Sequence, residues 1–521
     1  MASETVFIGH TQSQGQDGSS GFIPLHSNAC THLTQSQNQT RVPPSLPKEF
    51  YDQFLSTASR RAAPNAIREL ESFEKNPGIL TLLAGKPNIS TFPMTSLNFS
   101  IRSPTPSVPQ DENAQTQGQD QGRDQDQILN LSLTGPKMEQ ALQYGPTTGI
   151  PSLVSWLSGL QTVFHNRRVG ASLGKQGQDG EGEGEGWRLV IGNGSQDVLY
   201  KAAHAILNPG DYVLLESPVY APFIPVLERL GCNIVAIGTD SQGIKPSSLK
   251  SVLENWSEER PRPKVLYTVP FGCNPSGATT SLDRRREILN LARKYNFLIF
   301  EDDPYYYLYF GDSPRPPTYF SLELEQPELG RVIRFDSLSK IVSSGFRIGF
   351  ASGPTPIMDA IDSHTSVSNL QASTLTQVIT DTMFRAWGYE GFNAHITNVA
   401  GFYKARKETF ERHMREYLEG LAEWTSPDTG MFFWVKLLVK PPFANAGAEE
   451  VGDDVDSETI LPIAVENGIV PLPGSAFMPD RRKTPYIRLS YSQLADDQVE
   501  EAVRRLAETV REARKKYFGV M

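Results

Sequence analysis

Between residues 187 and 355, short β-rich runs alternate with helical patterns, and this alternation restricts the fold more than any other feature. WRLVIG (187–192) reads as a strand, and SQDVLYKAAHAIL as a helix ended by NPGD. YVLLE (212–216) is again strand-like and YAPFIPVLERLG again helical. NIVAIG, VLYTVP, a helix at RRREILNLARKYN, the strand FLIFED and finally VIRFDS continue the series. Strand runs that are apolar throughout are covered on both faces, and helices between them make the crossovers of a mostly parallel sheet in an α/β layer. After about 375 the pattern changes to long helices followed by MFFWVKLL, IVPLPG and YIRLSYS, which predicts a second lobe of α+β type that shares residues with the segment 46–100.

Three stretches fall outside this patterning. Residues 1–45 are rich in Gln, Ser, Gly, Asn and Thr, and cannot bury enough apolar surface to offset ordering. The stretches 103–127 and 174–186 have the same character and sit between patterned segments, so they read as surface insertions. The expected layout is a disordered leader at 1–45, an N-terminal segment with part of the small domain at 46–135, a large domain at 136–375 and a C-terminal small domain at 376–521.

A net charge of −10 argues against a nucleic-acid binder, which would carry a basic face. Cys30, Cys232 and Cys273 are too few and too scattered for a disulfide framework or a zinc site, which fits a reducing compartment. No run of about 18 apolar residues predicts a membrane span. The first residues lack the basic and apolar regions of a signal peptide and the arginines of a transit peptide, so the cytoplasm is expected.

α/β proteins place their sites in loops at the C-terminal ends of parallel strands, and several suggestive residues fall there. GNGSQD (192–197) follows a strand and opens a helix, either as a capped turn or as an anion cradle made of helix N-terminal amides; it lacks GxGxxG and a Walker lysine. FGCNPSG (271–277) follows VLYTVP, and Asn274 there is either a turn cap or a donor to a ligand. EDDPYYYLYF (301–310) ends a buried strand on Asp302, which either caps a turn or pairs with a cationic ring nitrogen. In FDSLSKIVSSGFRIGF (335–350), Lys340 sits among small hydroxyl residues. Partial burial would make it an amine nucleophile able to form a Schiff base, while Ser337, Ser339 and Arg347 could hold a phosphate dianion beside it. An aldehyde for the lysine, a phosphate for the cradle and a basic ring nitrogen for the aspartate together describe pyridoxal 5′-phosphate.

The same stretches resemble the fold-type I, class I/II aminotransferases, and within them the kynurenine/α-aminoadipate aminotransferases and fungal aromatic aminotransferases. ALQYGPTTGIPSL (141–153), GNGSQ, VLYTVPFGCNPSG, ARKYNFLIFEDDPYYYL, GRVIRFDSLSKIVSSGFRIGF, GMFFWVK, PLPGSAF and PYIRLSYS run in family order across about 60–515. The resemblance implies that Lys340 tethers the cofactor and shuttles the proton at the substrate Cα, and that Asp302 pairs with the ring nitrogen. It implies that Tyr305 and Asn274 bind the phenolic oxygen, that Tyr220 stacks on the ring, and that Ser195, the Gln196 amide, Ser337, Ser339 and Arg347 hold the phosphate. Arg488 would take the substrate carboxylate with Asn274 and Tyr220 nearby, and Arg68 and Gly85 would belong to a segment that covers the substrate. Tyr144 would reach the cofactor phosphate of a second subunit, which implies a homodimer with shared active sites.

The implied reaction moves an amino group from an aromatic amino acid, kynurenine or 2-aminoadipate to a 2-oxo acid such as 2-oxoglutarate. Two rivals stand beside it: elimination, decarboxylation or carbon–carbon bond formation on the same scaffold, and a non-catalytic regulator, which would carry a helix-turn-helix module that the leader lacks. Phe271 and Cys273 depart from the usual polar loop of the NGNNPTG kind, and LAGKPN is one residue short; both changes are expected where substrate side chains are felt.

Overall fold

Burial on both faces turns the apolar runs into neighbouring strands. The computed structural model describes residues 42–62, 70, 73, 76–80, 82–83, 85–104, 128–168, 186–440 and 455–519, which belong to one unit, Arg41–Met521. Residues 1–41, most of the two polar insertions and Arg68 lie outside the described residues.

In chain order, β1 (Ser96–Arg102) and β2 (Ile128–Thr134) form an antiparallel two-stranded sheet among the described residues. The main sheet is built from β3 (Trp187–Gly192), β4 (Tyr212–Ser217), β5 (Asn233–Asp240), β6 (Gly243–Ile244), β7 (Val265–Thr268), β8 (Leu298–Asp302), β9 (Val332–Ser337) and β10 (Gly349–Pro354). Its order is β3-β10-β9-β8-β7-β4-β5-β6. The run from β5 through β4, β7 and β8 to β9 is parallel throughout, whereas β10 is antiparallel to both β9 and β3. Every residue of β7, β8 and β9 is buried, as apolar strands between two helical layers must be. The crossover helix Leu282–Tyr295 turns Ile288, Leu289 and Ala292 to the sheet and stops at Asn296 in the left-handed conformation.

Because five strands run the same way, the segments after β4, β7, β8 and β9 emerge on one edge of the sheet. They carry Tyr220, Asn274, Asp302 with Tyr305, and Lys340.

The long helical run Thr374–Tyr417 is broken at Gly388, whose φ of 63° no helix accommodates. Beyond it, β11 (Ala422–Trp424), β12 (Phe432–Leu437), β13 (Leu472–Pro473) and β14 (Tyr486–Ser490) form an antiparallel sheet ordered β11-β12-β14-β13. Alternation along β12 buries Phe433, Val435 and Leu437 beside Ile487, and leaves Phe432, Trp434 and Lys436 on the face that also carries Tyr486 and Arg488. Near the N-terminus, the Leu46 amide donates to the Leu329 carbonyl at 2.9 Å and the Tyr51 hydroxyl to Gly330 at 2.9 Å. No helix among the described residues is long and apolar enough to cross a membrane.

Candidate active site

Asp302 ends β8 with its side chain 3% exposed. One carboxylate oxygen accepts from the Tyr267 hydroxyl of β7 at 2.6 Å. The other is buried with no hydrogen-bond partner among the described residues. Burial pushes the Asp302 carboxyl up to about 7, opposed by the Tyr267 bond and Arg334 and reinforced by Asp336. A buried carboxylate with a free oxygen is short of a donor, and a cationic one answers it best.

The strand ends are locked by Arg334 on β9, which is fully buried. Its guanidinium donates to Asp303 at 2.6 Å and to both oxygens of Asp336 at 2.8 and 3.0 Å, while Gln161 donates to Asp336 at 2.9 Å. This network joins the end of β8 to β9 and so fixes Asp302 against the turn that carries Lys340. Removing one partner would strand a buried charge, which is why such clusters are rigid.

Lys340 lies in the turn after β9, half-buried, with no hydrogen bond or ion pair among the described residues. Its amine pKa is lowered by burial first, then by the Arg488 and Arg347 charges. Arg347 closes the same loop in the left-handed conformation at φ 52°. Its fork donates to Ser339 Oγ at 3.2 Å, to the Ser344 carbonyl at 3.2 Å and to the Asn193 carbonyl at 3.3 Å. The Ser339 amide donates to Ser337 Oγ at 3.2 Å.

The Asn193 contact brings the fork to the N-terminus of the helix Ser195–Ile206. Gly194 precedes that helix at φ 87°, and a Cβ there would lie 2.3 Å from Arg347 Nη2. A Cβ on Gly349 would lie 2.2 Å from the Ser195 backbone nitrogen. Both glycines are therefore needed for the close approach of the two loops. The result is a cradle of helix amides at Ser195 and Gln196, the hydroxyls of Ser337 and Ser339 and an arginine fork, the donor set of a phosphate dianion. The Gln196 side chain itself turns away and donates to the Pro222 carbonyl at 3.2 Å.

Across from the lysine, Arg488 projects from β14 and donates to Asn274 Oδ1 at 2.9 Å. Its guanidinium stands over the rings of Phe432 at 4.3 Å and Phe477 at 5.2 Å. Its Nε is buried without a partner among the described residues, so part of the fork is left for a ligand oxygen. Burial lowers the arginine's pKa, partly offset by Tyr305. Tyr305 is buried, edge-on to Phe432 at 6.2 Å, and burial pushes its phenol well above the ordinary value. Tyr220 is half-buried, and burial with the Asp302 charge pushes it up to about 12.

The structure thus brings together Lys340, Asp302, Tyr305, Tyr220, Asn274, Ser195, Gln196, Ser337, Ser339, Arg347 and Arg488. It does not bring in Tyr144, which is 57% exposed, or Gly85, which is exposed and whose added Cβ would meet nothing within 4 Å among the described residues. Arg68 is outside the described residues. The expectation that Phe271 meets substrate is corrected: the ring is fully buried beneath Arg285, whose guanidinium stands 4.1 Å above it, and edge-on to Tyr306. Cys273 likewise turns inward, its thiol donating to Glu216 at 3.3 Å. Tyr267, Glu216 and Arg334 went unnoticed in the sequence. Their only signal is a polar residue inside an apolar strand run.

The site fits pyridoxal 5′-phosphate on its own chemistry. The free oxygen of Asp302 suits a ring cation, the loop cradle suits the phosphate, and Lys340 is an unpaired, half-buried amine. Comparison with known proteins agrees. The family model for aminotransferase class I and II matches residues 183–506. Aminotransferase tdiD of Emericella nidulans is 37% identical over 456 residues, 87% of this chain and 94% of that one. The mitochondrial kynurenine/alpha-aminoadipate aminotransferase of Bos taurus is 36% identical over 472 residues, covering 89% and 99%. Among solved structures, aminotransferase Aro8 from Candida albicans superposes with a TM-score of 0.76 over 91% of this chain and 99% of its own, at 22% identity, a likeness of fold. The kynurenine aminotransferase of Pyrococcus horikoshii gives a TM-score of 0.63 at 30% identity, over 72% of this chain and 83% of its own. With the fold, the lysine and its cradle all in place, the chain belongs to the class I and II aminotransferases and is a pyridoxal-phosphate-dependent transferase of fold type I.

Proposed function

We propose that the enzyme moves the α-amino group of an aromatic amino acid, kynurenine or 2-aminoadipate to a 2-oxo acid such as 2-oxoglutarate, by double displacement. The observation that carries this reading is the Arg488 fork, with a donor left over, close enough to Lys340 to depress its amine. An α-carboxylate held on that fork has its Cα within the lysine's neighbourhood. The relatives named for kynurenine, 2-aminoadipate and aromatic amino acids support the choice of donor.

Bound pyridoxal 5′-phosphate supplies a cationic ring that draws electrons from the donor's Cα and carries the amino group between half-reactions. The protein's part is to hold, orient and move protons. Lys340, its pKa lowered by burial, removes and returns the Cα proton. Asp302, whose burial pushes its carboxyl up, would stay ionised when paired with a cationic ring nitrogen. Tyr305, kept protonated by burial, would donate to the phenolic oxygen, with Asn274 beside it. Ser195, Gln196, Ser337, Ser339 and Arg347 would hold the phosphate, and Tyr220 would stack on the ring.

Tyr144 reaches the phosphate of a second copy of the chain, and a homodimer with shared sites explains why that tyrosine, Leu80 and Leu82 stand exposed. Gly85, together with Arg68, which lies outside the described residues, would belong to a segment that covers the substrate. The proposed division is a large lobe at 136–375 and a small one at 376–521 that takes in part of 46–135, a reading supported by the separate eight-stranded and four-stranded sheets. The cytoplasm is the proposed compartment, supported by the free thiols of Cys232 and Cys273. Product analysis tests the reaction: a 2-oxo acid formed in equal yield with glutamate supports transfer, while ammonia or carbon dioxide would mark elimination or decarboxylation instead.

A further inference from the structure

Glu216 lies near the end of β4 with its side chain 1% exposed, outside the set of residues assigned above. Oε1 accepts from the Val269 amide at 2.7 Å and from the Cys273 thiol at 3.3 Å, and Oε2 accepts from Thr268 Oγ1 at 3.1 Å. All three of these donors are uncharged, and no ion pair to Glu216 is formed among the described residues. A buried carboxylate without a cation is costly, and its three donors are what hold it there.

All three donors belong to β7 and the turn that follows. That turn folds on itself through the Gly277 amide to the Cys273 carbonyl at 2.7 Å and the Cys273 amide to the Ala278 carbonyl at 3.0 Å. It is capped from beneath by Arg285 on Phe271. Glu216 ties this turn to β4, beyond the end of the β4–β7 ladder. The residue next to the gripped Cys273 is Asn274, which presents its side-chain oxygen to Arg488 at 2.9 Å. Cys273 stands where related loops carry a polar side chain, and a thiol can donate here while fitting an otherwise apolar space.

We propose that Glu216 is a positioning residue for the transfer reaction: by gripping Cys273 and β7 it sets the turn so that Asn274 holds the Arg488 fork in the orientation that takes the substrate carboxylate. The proposal rests on the reading of Arg488 as the carboxylate site. It is distinct from a general packing role because it acts through one residue, Asn274, and is therefore lost once the Asn274 side chain is removed.

The test is a double-mutant cycle on holoenzymes carrying Glu216→Ala, Asn274→Ala and both, with Glu216→Gln as the conservative variant. Steady-state kcat and KM are read alongside cofactor affinity from the visible absorption of bound pyridoxal phosphate. Glu216→Ala is expected to raise KM for donor and acceptor about tenfold, with a smaller fall in kcat and cofactor affinity within about twofold of the parent. Glu216→Gln, which keeps an oxygen for the Val269 amide, is expected to restore KM to within about threefold. In the Asn274→Ala background, Glu216→Ala is expected to change KM no further. An equal KM penalty in both backgrounds, or a loss confined to cofactor affinity, overturns the proposal. If Glu216→Ala cannot be loaded with cofactor, Glu216→Asp carries the same cycle. If neither Asn274→Ala nor Arg488→Lys raises KM, the carboxylate site itself is misplaced and the proposal falls with it, a result separable from simple additivity.

Discussion

Replacing Tyr267 by phenylalanine removes one hydroxyl and leaves the ring, which stacks on Phe223 at 4.2 Å, in place. What is lost is the 2.6 Å hydrogen bond to Asp302 Oδ2, in a site with no other donor to that carboxylate among the described residues. A hydrogen bond to a buried charge contributes about 1.5–3 kcal/mol, and each pKa unit corresponds to about 1.4 kcal/mol, so the carboxyl should rise by about 1–2 units. The sign follows from which form the bond favours. Tyr267 donates to the ionised carboxylate and lowers its pKa against burial, so its loss raises it. Protonated Asp302 cannot balance a ring cation. The acid limb of the kcat/KM profile should therefore move to higher pH by about 1–2 units in Tyr267→Phe, while the alkaline limb stays. In the cofactor-free protein the same carboxyl keeps a proton that the unfolded chain has released, so its contribution lowers stability as pH rises from about 4 to about 7. In the variant that window extends upward. The assay is kcat/KM across pH on the parent and Tyr267→Phe holoenzymes. An acid limb unmoved within a few tenths of a unit would refute the claim that Tyr267 sets the charge of Asp302.

Three further outcomes follow from the geometry. Arg488→Lys keeps the charge but loses the fork that serves Asn274 and a ligand oxygen together, so KM for donor and acceptor should rise about 10–100-fold with cofactor affinity unchanged. Gly349→Ala drives a methyl group to 2.2 Å from the Ser195 nitrogen and must open the phosphate cradle; pyridoxal phosphate affinity, measured by equilibrium titration, should fall about tenfold or more. Phe271→Ala empties a fully buried site beneath Arg285, so it should cost about 3–5 kcal/mol in chemical denaturation while changing donor preference little.

The strands that carry the site were legible because their runs are short, mostly apolar and β-rich, with helical patterns between them: WRLVIG, FLIFED and VIRFDS become β3, β8 and β9. β10 was not, because GFASGP is small and glycine-rich and becomes a strand only by pairing with β9 and β3 on either side. The β1–β2 ribbon was hidden for a related reason, since its two halves stand on either side of a long polar stretch. Lys340, Asp302 and Arg347 stand out by local chemistry and order along the chain, whereas Arg488 is singled out by the family resemblance alone, since an arginine in PYIRLSYS otherwise reads as a surface residue. Their supports do not stand out. Tyr267 and Glu216 sit inside strand runs where one polar side chain looks incidental, and their partners lie on neighbouring strands. Arg285 belongs to a helix whose charges read as a solvent face, yet it is fully buried, reaching the Thr280 and Pro270 carbonyls at 2.8 Å each. That burial is what takes Phe271 away from the substrate.

The central claim is that this site runs both halves of an amino-group transfer. It is tested most directly by loading the protein with pyridoxal phosphate, adding one amino acid at a time and following the visible absorption of the lysine-bound cofactor. Phenylalanine, tryptophan, kynurenine or 2-aminoadipate should bleach that band, 2-oxoglutarate should restore it, and Lys340→Ala should show neither change. A band that forms but that no amino acid bleaches, or a Lys340→Ala variant that turns over at the parent's rate, would contradict the account.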